Sequence, residues 1–262
     1  MRNIKITIQY DGRNYNGSQI QPKVNTIQNE IEVALTTLLR KKTDITLAGR
    51  TDSGVHAYGQ VANFSTDTPI PTSRIKRALN NLLPNDIYVL DVTEVSVDFH
   101  ARFSKSNKTY IYKIFISDEK NIFSNFYYYN IHEYLNVEEM KKASLHLIGS
   151  HDFKSFMSSG SNAFTTVRDI YSITIKENLV EKDFSSILCD SGKIVTIEVQ
   201  GNGFLYNMVR IITGTLIEVG LGKIDSSKIP VIIDGHDRKL AGHIAPPNGL
   251  YLKEILYTEE KY

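Results

Sequence analysis

The stretch DITLAGRTDSGVHAYGQVANFS, residues 44–65, contains two short apolar runs, DITLAG and QVANFS, on either side of the polar segment RTDSGVHAYG. Both runs have the length and composition of short β-strands. The segment between them, residues 50–59, is therefore predicted to be a loop that a sheet holds at both ends. Such a loop places its charged residues, Arg50 and Asp52, on a rigid support.

The elements around this stretch follow a β-α-β-β-α-β order. In residues 3–10, isoleucines alternate with polar residues, which is typical of a half-buried strand. A helix is predicted from Asn25, because Asn25 followed by Gln28 resembles a capping box. A second helix at 73–83 and a strand at 86–95 complete a ferredoxin-like pattern.

The second half of the chain repeats this order in part. It is predicted to contain a strand at 108–117, a helix around 136–149, a strand pair at 167–177 and 194–200, and a helix at 204–220. We therefore expect an α+β protein of two ferredoxin-like domains, residues 1–107 and 108–262. In this fold a continuous, mainly antiparallel sheet is flanked by helices, with a cleft between the domains.

The composition excludes several classes of protein. The single cysteine, Cys189, rules out an internal disulfide and a cysteine-based metal cluster, and it is expected to be a buried residue on a strand. The start of the chain lacks the apolar core of a signal peptide, and no run reaches membrane-spanning length. We expect a cytoplasmic protein without a metal.

Positive charge is concentrated in the first part of the chain and is not a property of the whole sequence. The net charge is +1, but residues 1–110 contain 14 Lys and Arg against 10 Asp and Glu. The excess lies in clusters at 40–42, 74–77 and 102–108. Such clusters are either solvated surface or the positions at which a nucleic acid binds.

Asp52 is the first candidate for chemistry. An Asp among Thr, Ser and Gly can bind its own backbone in a turn, and local sequence does not exclude this. However, Arg50 is two residues away, so in an extended loop both side chains leave the same side. A neighbouring cation keeps a carboxylate ionised, which is the form that a nucleophile or a general base requires.

A second Asp-Ser-Gly, residues 190–192, raises the alternative of an aspartic protease. The two acids of a protease share one proton in apolar surroundings. Arg50 beside Asp52 is incompatible with that sharing, and residues 190–192 are more simply a hairpin turn.

Two further residues fit a site that binds a nucleotide. Tyr110 lies on a predicted strand near basic residues, where a tyrosine either packs at the edge of the core or stacks on a base. Arg210 lies among apolar residues of a predicted helix and requires a buried partner, for which Asp52 is a candidate.

Several motifs together resemble the tRNA pseudouridine synthase A family. AGRTDSGVHAYGQVANF (48–64) resembles the catalytic motif of this family. Other segments match its landmarks in order along nearly the whole chain: YDGRNYNGSQIQ, FHAR, KTYIYKI, HDFKSF, TTVRDI, FLYNMVR and APPNGLYL.

The resemblance implies that uridine in RNA is converted to pseudouridine without a cofactor or metal. Asp52 matches the nucleophile, which attacks either ribose C1′ or uracil C6. Arg50 matches the arginine that enters the RNA helix as the target base flips out. Tyr110 matches the tyrosine that stacks on that base, Arg210 the arginine that pairs with the aspartate, and Leu250 the apolar wall of the uracil pocket.

The resemblance also implies a homodimer that binds the anticodon stem-loop of tRNA and modifies positions 38–40. One departure is the residue after Gly17: family members usually have tryptophan there, whereas this chain has Ser18 and no tryptophan. Because the early loop can shape RNA contacts, a paralogue that acts on another RNA uridine is an alternative. A non-catalytic RNA-binding module with the same fold is a second alternative.

Overall fold

In a computed structural model, which describes residues 1–160, 163–182, 188 and 191–258, the chain forms two compact units. One contains residues 1–106 and 251–258, and the other contains residues 107–250. The last strand therefore packs with the first unit, whereas the predicted division at 107/108 placed it in the second half. No helix in the described ranges is long and apolar enough to span a membrane.

The first unit has the predicted β-α-β-β-α-β order. Its elements are β1 (Arg2–Tyr10), α1 (Ile27–Leu39), β2 (Thr46–Leu47), β3 (His56–Thr66), α2 (Thr72–Leu82) and β4 (Ile87–Val95). β1 pairs antiparallel with both β3 and β4. The other edge of β3 pairs antiparallel with β2 near Ala62, and parallel with β10 (Leu250–Tyr257) near His56.

The core of this unit follows from the alternation seen in the sequence. Ile4, Ile6 and Ile8 of β1 are fully buried, and so are Ile31 and Leu35 of α1. The predicted cap of α1 is displaced by one residue: Thr26, not Asn25, accepts a hydrogen bond from the Asn29 amide. Gln28 instead accepts from the Ile20 amide, and so fixes the loop before the helix.

The second unit is also a sheet with helices. It contains β5 (Ser106–Ile116), β6 (Tyr129–Ile131), α3 (Val137–Leu145), β7 (Gly149–Asp152), β8 (Val167–Val180), β9 (Gly192–Gly201), α4 (Met208–Gly220) and α5 (Ile229–Asp234). β5, β9, β8 and β7 are joined by antiparallel pairing, and β6 adds to β5 in parallel. The α+β class with mainly antiparallel strands is thus confirmed.

Helix α4 begins later than predicted. The expected start was residue 204, but Asn207 adopts a left-handed conformation with φ of 59°, and the helix begins at Met208. Residues 204–207 are therefore a separate segment before the helix. From Ile211 to Ile217 every residue of α4 is buried, so this helix is the centre of the second unit's core.

Candidate functional site

Asp52 lies in the first unit, on the loop between β2 and β3, as predicted. The Val55 amide donates to the Asp52 carbonyl over 3.1 Å, which closes a turn at Ser53 and Gly54. Asp52 itself is half-buried, and Thr51 is buried at 6% exposure. The carboxylate is therefore carried by a short, closed turn whose preceding residue is part of the core.

The early loop, residues 11–18, holds this turn from one side. The Ser18 amide donates to the Thr51 carbonyl over 3.0 Å, and the Thr51 amide donates to the Ser18 hydroxyl over 2.8 Å. The Tyr15 carbonyl accepts from the Gly54 amide and from the Ser53 hydroxyl. Hydrogen bonds to the early loop thus flank Asp52 on both sides.

Two glycines make this close approach possible. A Cβ on Gly12 would lie 2.0 Å from the Val55 carbonyl oxygen, and one on Gly17 would lie 2.8 Å from the Thr51 carbonyl oxygen. Gly17 also has φ of +87°, a conformation that other residues avoid. The backbone of the early loop therefore contacts the backbone of the Asp52 loop directly.

A buried polar network holds the loop from the other side. The Tyr10 hydroxyl lies 2.8 Å from the Thr51 hydroxyl, and the amide of fully buried Gln60 donates to the Gly49 carbonyl over 3.0 Å. Burial raises the pKa of the Tyr10 phenol, so the group stays neutral at physiological pH. Gly49 and Thr51 are fixed, and only the Arg50 side chain between them is exposed.

The predicted pairing of Arg50 with Asp52 is not present. Within the part of the chain that the structure describes, the Arg50 side chain is exposed and makes no ion pair or hydrogen bond. An exposed pair of this kind is worth 1 kcal/mol or less, about the same as the entropy of holding the side chain. Arg50 is instead available to a ligand.

Ser18, at the position where the resemblance leads us to expect tryptophan, lies inside the early loop and not on its surface. Ser18 is fully buried, and its hydroxyl is directed at the Thr51 backbone. In this chain, the residue that replaces the usual tryptophan therefore supports the Asp52 loop through its hydrogen bond with Thr51. Sequence alone could not show this, because the two residues are 33 positions apart.

Tyr110 lies in the second unit, on β5, with 7% of its surface exposed. Its ring packs edge-to-face on Phe204, with the ring centroids 5.2 Å apart. Phe204 belongs to the segment before α4 and was predicted only as part of the apolar side of the helix. Its contact fixes the orientation of the Tyr110 ring, which a tyrosine that stacks on a base requires.

Arg210 is near the start of α4 and is half-buried. Its Nε donates to the Ala245 carbonyl over 2.7 Å, and a terminal nitrogen donates to the Asn207 side chain over 2.8 Å. The Ala245 amide in turn donates to the Arg210 carbonyl. Neutral oxygens thus accept two of the hydrogen bonds that the Arg210 guanidinium can donate, and they fix the orientation of this side chain.

Leu250 is buried, with 5% of its surface exposed. It is the last residue of the segment 245–250, whose first residue, Ala245, accepts the hydrogen bond from Arg210. Tyr112, two residues after Tyr110 on β5, donates from its hydroxyl to the Pro246 carbonyl over 2.7 Å. Burial raises the pKa of Tyr112 well above 10. Tyr112 is a fully buried core tyrosine, and it connects β5 to the segment leading to Leu250.

The second Asp-Ser-Gly, predicted to be a hairpin turn, lies partly outside the described residues. Cys189 and Asp190 lie outside the described residues, and Gly192 is the first residue of β9.

Comparison with known proteins identifies the family of this chain. The family model described as "tRNA pseudouridine synthase" matches residues 6–104 and 143–258. The chain is 46% identical to tRNA pseudouridine synthase A of Acetivibrio thermocellus and 47% identical to that of Ruminiclostridium cellulolyticum. Each alignment covers 98% of this chain and the whole of the relative.

Among solved structures, the archaeal box H/ACA sRNP Nop10–Cbf5 complex aligns with 93% of this chain and 55% of that one, at 11% identity. Its TM-score of 0.33 is too low to support a conclusion about this protein. The sequence matches are sufficient to identify the family. They cover the loop of Asp52 and the segments that contain Arg210 and Leu250, and they show that the chain belongs to the tRNA pseudouridine synthase family.

Proposed function

We propose that Asp52 is the nucleophile with which this enzyme isomerises uridine to pseudouridine in the tRNA anticodon stem-loop, at positions 38–40. The support of the Asp52 loop is the main observation in favour. Backbone and side-chain hydrogen bonds fix Gly49, Thr51, Ser53 and Gly54 around the carboxylate. A reacting group held in this way loses little orientational entropy when a nucleotide arrives.

The reaction requires few participants. The carboxylate attacks ribose C1′ or uracil C6, and the bond between C1′ and N1 breaks. A bond from C1′ to C5 then forms, the bond between the carboxylate and the substrate breaks again, and the C5 proton is lost to solvent while N1 gains one. Uridine and pseudouridine contain the same atoms in the same oxidation state. The proposed chemistry therefore includes no cofactor, no metal and no second substrate.

The other residues have separate roles in the proposal. Exposed Arg50 enters the RNA helix as the target base flips out, which costs a few kcal/mol. Tyr110, oriented by Phe204, stacks on the base and assists removal of the C5 proton. Arg210 supplies the positive charge that keeps the nucleophile ionised, and Leu250 forms the apolar wall of the uracil pocket.

The proposal extends to assembly and location. We expect a homodimer in the cytoplasm that binds one tRNA across both subunits. The departure at Ser18 from the usual tryptophan keeps a paralogue that acts on another RNA uridine as the alternative.

The test is to map pseudouridine in tRNA after incubation with the purified protein. Wild-type protein is expected to modify uridines at positions 38–40, and Asp52→Asn is expected to modify none while still binding tRNA. Modification at other positions only would identify the paralogue. Binding by wild-type protein without any modification would identify the non-catalytic module.

A further inference from the structure

An exposed aromatic side chain lies at the tip of the loop that precedes β5. Phe103 keeps 75% of its surface exposed. The His100 ring stacks on it with the centroids 4.4 Å apart, and the guanidinium carbon of Arg102 lies 5.5 Å from the ring centroid. We call His100, Arg102 and Phe103 the Phe103 platform.

The loop that carries the platform is rigid. Buried Asn3 donates from its side-chain amide to the carbonyls of Ser96 and Phe99, over 2.9 and 2.8 Å. The Asn63 side chain bonds to Asn3 and accepts from the Ala101 amide over 2.9 Å. Two strands of the sheet, β1 and β3, therefore hold the loop through their side chains.

Further bonds fix the loop close to the ring itself. The Tyr257 hydroxyl donates to the carbonyl of fully buried Ala101 over 2.6 Å. The Phe103 amide donates to the His100 carbonyl, and the His100 amide donates to the Ser104 hydroxyl. Phe103 is thus a pre-positioned ring, because the residues on both sides of it are held.

A groove of about 680 Å³ borders the platform through Phe99 and His100. Lys41 and Lys42 line it as well, so the basic cluster at 40–42 borders the same groove as His100 of the platform. Lys41 pairs with Asp67 over 3.4 Å and Lys42 with Asp44 over 3.7 Å. All four side chains are more than two-thirds exposed, and such pairs are weak enough for a phosphate to replace the acid.

We propose that the Phe103 platform binds an unpaired base of the RNA substrate, separately from the uridine that reacts, with Lys41 and Lys42 on the adjacent phosphates. The choice of RNA as the ligand rests on the proposed function. A flat exposed ring beside a guanidinium and lysines is the combination that binds unstacked bases, since the ring stacks and the cations bind the backbone.

The test measures the dissociation constant for tRNA and does not depend on catalysis. Phe103→Ala is expected to weaken binding between about fivefold and 150-fold, the usual value of one base-aromatic stack, and Phe103→Trp is expected to bind at least as tightly as wild type. Tyr134→Ala is the matched control, because Tyr134 is 79% exposed and has no cation–π or ring contact among the described residues. It should bind like wild type.

Salt dependence provides an independent measurement. Lys42→Gln is expected to reduce the slope of log K against log salt by about one unit, as for the loss of one phosphate contact. Phe103→Ala should leave this slope close to that of wild type, because a stacked base releases no counterion.

Three outcomes would overturn the proposal: wild-type affinity in Phe103→Ala, an equal loss in Tyr134→Ala, or a change of oligomeric state in Phe103→Ala by sedimentation, which would make the platform a protein interface. The proposed function fails in a different way. If wild-type protein binds tRNA through Phe103 but forms no pseudouridine, the proposed base binding by the platform stands and the proposed isomerisation is refuted.

Discussion

Ser18→Ala tests whether the early loop supports the reactive loop. The substitution removes the hydroxyl that accepts the Thr51 amide over 2.8 Å, at a position with 0% exposure, while Thr51 is 6% exposed. No water reaches the amide to replace the acceptor. A buried donor left unsatisfied costs about 1–3 kcal/mol, so the free energy of unfolding should fall by about that amount.

Ser53→Ala is the matched control. The same hydroxyl is removed from the same loop, but Ser53 is exposed and its partner, the Tyr15 carbonyl, also accepts from the Gly54 amide. We expect a loss below about 0.5 kcal/mol. Urea unfolding of both variants, compared at an unchanged slope, gives the two values.

Activity provides the second readout. Thr51 immediately precedes Asp52, so release of its amide displaces the carboxylate, and a misplacement of 1 Å can cost about 100-fold in rate. Ser18→Ala should therefore lower the single-turnover rate of pseudouridine formation much more than it raises the Kd for tRNA. Wild-type stability together with a wild-type rate in Ser18→Ala would refute the support role of the early loop.

Two further predictions concern packing and titration. Gly12→Ala places a Cβ 2.0 Å from the Val55 carbonyl oxygen, so it should lower the free energy of unfolding by about 1–3 kcal/mol and shift the urea midpoint down. Gly203→Ala is the control, because its Cβ would meet nothing nearer than 3.9 Å, and it should change the midpoint little. Equal midpoints for the two variants would contradict the contact between Gly12 and Val55. Burial raises the pKa of Tyr10 and Tyr112, so above about pH 10 the unfolded chain releases protons that the folded chain retains, and stability should fall as pH rises. Tyr112→Phe should make this fall shallower between about pH 9 and pH 11. Identical pH profiles for wild type and Tyr112→Phe would contradict the prediction.

Local patterns were sufficient where the structure depends on neighbours in sequence. The alternation of Ile4, Ile6 and Ile8 predicted β1 correctly, and the pattern from Asn25 to Gln28 predicted the start of α1 to within one or two residues. The loop position of Asp52 followed from the apolar runs around it. However, β2 contains only Thr46 and Leu47, and the other residues of the predicted strand, 44–49, belong to the loops on either side of it.

Long-range contacts account for the differences. The pairing of β10 with β3, the burial of Ser18 against Thr51 and the packing of Phe204 on Tyr110 each join residues far apart in sequence. No local pattern specifies such partners. Arg50 does not pair with Asp52 for a related reason: two charges on one side of an extended loop can pair, but solvent competes for the exposed one. The role of Arg50 toward RNA stays a prediction.

The most direct measurement is tritium release from tRNA labelled at uracil C5, with wild-type protein and Asp52→Asn compared at equal tRNA occupancy. The substitution keeps the size of the side chain and removes its charge. We predict release by wild-type protein and none above background by Asp52→Asn, with tRNA affinity retained. Release by Asp52→Asn at the wild-type rate would contradict the assignment of Asp52 as the nucleophile.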